Sequence, residues 1–162
     1  MKPSQKTLMP IIPADLARIV GEIVIRCGEL ERAIFTAIAR VTRKTEEEFI
    51  TELGEQKTGT PLGNIIRNAE GEFDTKYGWF DPKELKVICD ERNFIHDALM
   101  QNENGSYVWQ SSSKTSSKKR KHRPIDFTWL CLLRSKIELE IAKIDDGSLK
   151  YKMEQIGKEK NK

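Results

Sequence analysis

"ADLARIVGEIVIRCGELERAIFTAIAR", Ala14 to Arg40, spaces Leu16, Ile19, Val20, Ile23, Cys27, Leu30, Ile34 and Ala37 by threes and fours, and Val41 continues the series. That period places them on one side of an α-helix of about seven turns, running from about Pro13 to Arg40. A helix this long with one apolar stripe must be covered by other elements. The flanking sequence supplies helices for the purpose. In "TEEEF", Thr45 with Glu48 three residues on makes a capping box, so a short helix should carry Phe49, Ile50 and Leu53 up to Gly54. In "TGTPLGNIIRNA", Thr60 is the expected N-cap and Pro61 the first helical residue, with Leu62, Ile65, Ile66 and Ala69 on one side. "EGEFDTKYGWFDP" reads as a loop anchored by aromatics. Asp81, Pro82 and Glu84 repeat the start signal for a fourth helix to about Met100.

Beyond it, "NENGSYVWQ" combines an Asn-Gly turn signal with a strand-like run, Tyr107 to Trp109, which residues near Ile125 could pair with in a small hairpin. "SSSKTSSKKRKHR" is too polar to pack and is expected to form a mobile loop. A last core helix should span Thr128 to Ile144, with Leu130, Leu133, Ile137, Ile141 and Ile144 inward and Gly147 as its stop. The expected fold is therefore all-α, an up-and-down bundle of four to five helices with a small β-hairpin or loop excursion before the last core helix. One domain, residues 1–147, would carry a basic mobile loop at 110–124 and a charged, fraying tail at 148–162.

Composition narrows the function classes. The 162 residues can bury a core without staples, and the three cysteines, Cys27, Cys89 and Cys131, show no Cys-x-x-Cys pairing. They read as reduced core residues of a cytoplasmic protein. No apolar run approaches a membrane span, and Pro3, Pro10 and Pro13 interrupt what a signal peptide would need. Net charge is +3, yet Lys114, Lys118, Lys119, Arg120, Lys121 and Arg123 form a run with no acid, which leaves the rest of the chain at −3. Such a patch can attract a polyanion, and it can equally be a solvated face. There is no Gly-rich phosphate loop, His-Glu-x-x-His or Gly-x-Ser-x-Gly, and nothing indicates a cofactor or a metal site.

The chemistry that remains lies in "ERNFIHDAL", Glu91 to Leu99. On a helical wheel with Leu85 at zero, Arg92 falls at about −20° and His96 at about 20°, between Ile88 at about −60° and Cys89 at about 40°. Both polar groups thus occupy the middle of an apolar stripe, while Val87, Phe94 and Ala98 form a smaller apolar face opposite. A guanidinium is almost never buried without a partner, because its desolvation costs several kcal/mol. An acid of the first helix, such as Glu22, Glu29 or Glu31, or helix C-terminal carbonyls could meet it, in which case Arg92 and His96 are hydrogen-bonded core of a helical adaptor.

Arg92, Asn93 and His96 in "RNFIH", together with "GELERAI", "TPLGNII" and the closing helix, resemble the HEPN superfamily of small all-α proteins across roughly Ala14 to Ile144. Three residues separate Arg92 from His96, about one fewer than the family's usual minimum, and leave them at i and i+4, still able to address one site. The resemblance implies a metal-independent endoribonuclease, homodimeric, with the motifs of two subunits meeting at a seam. It also implies a place as the toxic arm of a defence or toxin and antitoxin pair, with an antitoxin or other protein as a possible partner. In that setting His96 would take the proton of a ribose 2′-hydroxyl, Arg92 would clamp the phosphate and Asn93 would hydrogen-bond the phosphate or hold a partner side chain in place. The basic run would track the RNA backbone, with Tyr107 and Trp109 available for stacking. The alternative is a non-catalytic dimeric module of the same kind that binds nucleic acid or a partner protein.

Overall fold

A computed structural model describes residues 12–42, 44–54, 61–73, 77–95, 98–101, 107–110 and 122–160. Helix α1 spans Ala14–Val41, α2 Glu46–Gly54, α3 Pro61–Glu72, α4 Pro82–Ile95 and α5 Phe127–Lys160. Between α4 and α5 lie strands β1 Ala98–Gln101, β2 Tyr107–Gln110 and β3 His122–Pro124. They form an antiparallel sheet in the order β1-β2-β3, with Leu99 opposite Trp109 and Trp109 opposite Arg123. The fold is an all-α bundle of five helices among the described residues, with this small sheet set into it.

The apolar stripe of α1 is the axis of the core. Leu16, Ile19, Ile23, Cys27, Leu30, Ile34 and Ala37 are buried, Ala33 and Ile38 join them, and Val20 and Val41 pack at the margin. Helix α5 runs parallel to α1 and supplies Leu130, Leu133, Ile137 and Ile144. The pair is pinned in register by Arg134 Nη1 to Glu22 Oε2 at 2.6 Å and Arg26 Nε to Glu138 Oε1 at 3.0 Å. In the last turn of α1, Arg40 Nη1 donates to Ser148 Oγ at 3.0 Å and to the Asp145 carbonyl at 3.2 Å. Phe49, Leu62, Ile65, Ile66, Ala69, Leu85 and Ile88 close the other sides.

Helix starts follow local hydrogen-bond chemistry. The Thr45 amide donates to Glu48 Oε2 at 2.7 Å and the Glu48 amide to Thr45 Oγ1 at 3.2 Å, a closed capping box. Asp81 Oδ1 accepts from the amides of Lys83 and Glu84 at 3.0 and 3.3 Å, with Pro82 in the first helical position where no amide is needed. Asp126 does the same for α5 through the Thr128 amide at 2.9 Å. The expected cap Thr60 lies outside the described residues.

Two expected helix ends are corrected. Helix α4 stops at Ile95, not Met100, and Ala98–Gln101 is paired edge to edge with Tyr107–Gln110, so Asn104-Gly105 falls between two strands. Ladder pairing satisfies backbone groups that helical propensity alone would have kept in α4. Helix α5 continues through Gly147 to Lys160, so the tail expected to fray is helical and Ser148 is buried in the bundle. The reason is Trp79. A Cβ on Gly147 would fall inside the side chain of Trp79, whose Cδ1 lies 2.6 Å from that position. Gly147 is thus a close-approach residue within a helix, and the aromatic loop packs on it: Trp79 stacks on Tyr77 at 5.3 Å and meets Phe73 edge-on at 5.2 Å, while Tyr151 of the supposed tail contacts Tyr77 at 5.0 Å.

Candidate functional site at the end of α4

Leu85, Ile88 and Cys89 anchor α4 against the core. Arg92, four residues after Ile88 and three after Cys89, continues that face. Its charge acts on Cys27 and Glu31, one turn apart on α1. Burial pushes the Cys27 thiol up to about 11, and the Arg92 charge opposes the shift. Burial likewise holds the Glu31 carboxyl above its ordinary 4.5, again opposed by Arg92. Of the three acids that could have met Arg92, Glu22 is bound to Arg134 and Glu29 to Arg26 at 2.6 Å, which leaves Glu31 as the one that answers its charge. Arg92 Nε is shielded from solvent and has no hydrogen-bond acceptor among the described residues.

Asn93, one residue on, turns to a different place. It lines a cleft of about 430 Å³ between α3 and α4, whose walls include Asn64, Arg67 and Glu70 of α3 and Lys86 and Asp90 of α4. The two described members of the expected trio therefore part within the bundle: Arg92 lies beside α1 and Asn93 faces α3. His96 lies outside the described residues, as do Lys114, Lys118, Lys119, Arg120 and Lys121. Arg123 is in β3, its backbone opposite Trp109. Sequence reasoning missed Asn64, Arg67 and Lys86, although "GNIIRN" carries the signal, a polar amide among the apolar positions of α3.

Glu31 provides a test of this arrangement. A folded carboxyl that holds its proton more tightly than the unfolded one gains protons relative to it as pH falls. Stability therefore declines as pH rises from about 4.5 through the raised folded value. Glu31→Gln is expected to raise Tm at pH 7, with the difference from wild type closing by pH 4 in thermal melts. A lower Tm at pH 7 would show that Arg92 needs the Glu31 charge more than the bundle resists burying it.

No protein-family profile matches the chain, and no match was found among curated proteins or solved structures. What the fold itself defines is a class, a bundle with five helices among the described residues and a cleft that runs along its third and fourth helices. No described helix is long and apolar enough to cross a membrane.

Proposed function

We propose that the chain is a HEPN-like endoribonuclease, active without a metal as a homodimer in the cytoplasm. The observation that carries this reading is Arg92, a cation on the apolar side of α4 whose shielded Nε has no acceptor among the described residues. An unfilled donor on a permanent cation is suited to a phosphate oxygen, where negative charge accumulates during transesterification. In the proposed reaction His96 removes the proton from a ribose 2′-hydroxyl, and that oxygen bonds to the adjacent phosphorus. The bond from phosphorus to the 5′-oxygen breaks, leaving a 2′,3′-cyclic phosphate. The departing 5′-oxygen takes a proton from a second imidazole, contributed by His96 of the partner subunit. DNA, without the 2′-hydroxyl, is spared. Asn93 binds the substrate beside the reacting phosphate, and the lysines and arginines of 114–123 hold the RNA backbone. Such an enzyme suits the toxic arm of a defence or toxin and antitoxin pair, neutralised by a protein partner.

A second reading is a non-catalytic dimeric module that binds RNA or a protein. It is favoured by the short step from Arg92 to His96, since α4 ends at Ile95, between the two.

Wild type and His96→Ala, each incubated with RNA in EDTA between pH 6 and 8, separate these readings. Cleavage to cyclic phosphate ends by wild type, lost by on the order of a hundredfold or more in the variant, is the expected result. Intact RNA with wild type would overturn the enzyme, and salt-sensitive RNA binding without cleavage would establish the module.

A further inference from the structure

Helix α5 is apolar on two opposite faces. One lies in the core, through Leu130, Leu133, Ile137 and Ile144. The other points outward: Leu132, Leu139 and Met153 are 65%, 55% and 62% exposed, and Leu149 and Ile156 are 48% and 38% exposed. These five share one heptad pattern. Leu132, Leu139, Asp146 and Met153 recur every seven residues, and Ser135, Ala142, Leu149 and Ile156 follow each of them by three. That alternation of threes and fours is the seam of a two-stranded coiled coil, here about 36 Å long. Its last part also outruns the bundle. Arg40, in the last turn of α1, is bonded to Ser148, so from Leu149 onward α5 has passed the end of α1 and is tied back through Tyr151 against Tyr77. A helical segment of that length is marginal in water by itself, and contacts along its apolar side would hold it.

The face is complementary to itself in one orientation. Two parallel copies in register would set Asp146 against Asp146 of the partner subunit inside the seam, a like-charge pair shut away from water. Two antiparallel copies centred on Ile144 instead place Leu132 opposite Ile156 of the partner subunit and Leu139 opposite Leu149 of the partner subunit. Asp146 then meets Ala142 of the partner subunit, whose small side chain leaves the carboxylate an outlet at the edge. The flanking charges permit this arrangement. Along one border lysines come near lysines, but Lys136 and Lys143 are already matched within their own bundle by Glu84 and Glu140, at 2.6 Å each. Along the other, Asp145 approaches its own copy but is matched by Arg40 at 3.3 Å, and Glu138 approaches Lys152 of the partner subunit, an opposite charge. Pairing over about three and a half heptads clears the roughly 1,000 Å² that a specific interface needs. We infer that the outer face of α5 binds α5 of a second copy, antiparallel, so that the end of each helix from Leu149 on lies along Leu132 to Leu139 of the other. This contact does not depend on the ribonuclease reading. Helix α5 lies against the side of α1 that carries Glu22 and Arg26, whereas Arg92 acts on Cys27 and Glu31, so a seam between α4 ends would be a different surface.

Sedimentation equilibrium of the full chain, from about 1 to about 200 µM, reads the contact. Wild type is expected to self-associate with Kd below about 50 µM. Leu139→Glu and Leu149→Lys each put an unpaired charge into the seam and should weaken that association on the order of a hundredfold. Helical circular dichroism of each variant should match that of wild type, since both side chains are exposed in a single copy. Mixed in equal amounts, the two variants should recover a heterodimer. The antiparallel register brings the two substituted positions together with opposite charges, and a parallel pair would keep them apart. Each single variant should halve the mass, from dimer to monomer if α5 forms the whole contact and from tetramer to dimer if α4 ends pair as well. A wild type that stays monomeric throughout, masses unchanged in both variants, or a mixture that associates no better than either variant alone would each overturn the inference. Halved masses from a chain that leaves RNA intact would keep this contact and remove the ribonuclease. RNA cleavage by a chain whose mass neither variant alters would do the reverse.

Discussion

On the proposed ribonuclease reading, Arg92→Met is expected to lower RNA cleavage by on the order of 10² to 10³ in kcat/KM, while the protein remains folded. The two halves of that result come from one observation. A guanidinium whose charge acts on the half-buried Glu31, with Nε shut away from solvent and from any described acceptor, is incompletely compensated for its desolvation. Methionine keeps an unbranched stem of similar reach and asks for no hydrogen bond, so the variant loses a cost of about 1–3 kcal/mol along with the cation. Against this gain, Glu31 loses its counter-charge and is driven further above the ordinary carboxylate range. The two effects oppose each other, and the net change at pH 7 should lie within about 1 kcal/mol. Arg92→Met with Glu31→Gln should be more stable than wild type, since neither charge is then buried. An Arg92 that served only the core would behave differently. Its loss would leave Glu31 stranded, cost about 3–5 kcal/mol and leave RNA cleavage unaltered per folded molecule. Urea denaturation and a cleavage assay on the same preparations distinguish the outcomes.

Gly147→Ala should destabilise the bundle by about 2 kcal/mol, although alanine is the better helix former. In a helix interior the exchange ordinarily gains about 1 kcal/mol. Here the added methyl would overlap the Cβ and ring of Trp79, atoms close to the backbone that cannot swing away as the tip of a flexible chain could. Trp79 is itself held by Phe73 and Tyr77, so displacing it breaks ring contacts on both sides. Overpacking of this kind costs about 1–3 kcal/mol beyond the gain. The sign should reverse once the ring is absent: in a Trp79→Ala background, Gly147→Ala should stabilise by about 1 kcal/mol. A stabilising effect of Gly147→Ala in the wild-type background would refute the close approach of helix and loop.

These two sites mark where reading the chain succeeded and where it stopped. The five helices were legible because their apolar spacing and their starts are local: Leu16 to Ala37 keeps its period, and Thr45 with Glu48 and Asp81 with Pro82 announce helix starts within four residues. Helix ends were less legible. Ile95 ends α4 and Gly147 fails to end α5 because pairing with residues 107–110 and packing of Trp79 act across the chain.

The candidate site divides in the same way. That Arg92 lies on the apolar side of its helix follows from the 3.6-residue period. Which acid answers it does not, since Glu22, Glu29 and Glu31 are nearly equivalent in sequence and only the register of α1 against α5 commits the first to Arg134. Sequence alone determined the helical class, the core stripe and the exceptional position of Arg92, all consequences of contacts within one or two turns. The separation of Arg92 from Asn93, the burial of Asn64 and the role of Gly147 were decided by tertiary packing, because each depends on which helix or loop comes to lie alongside.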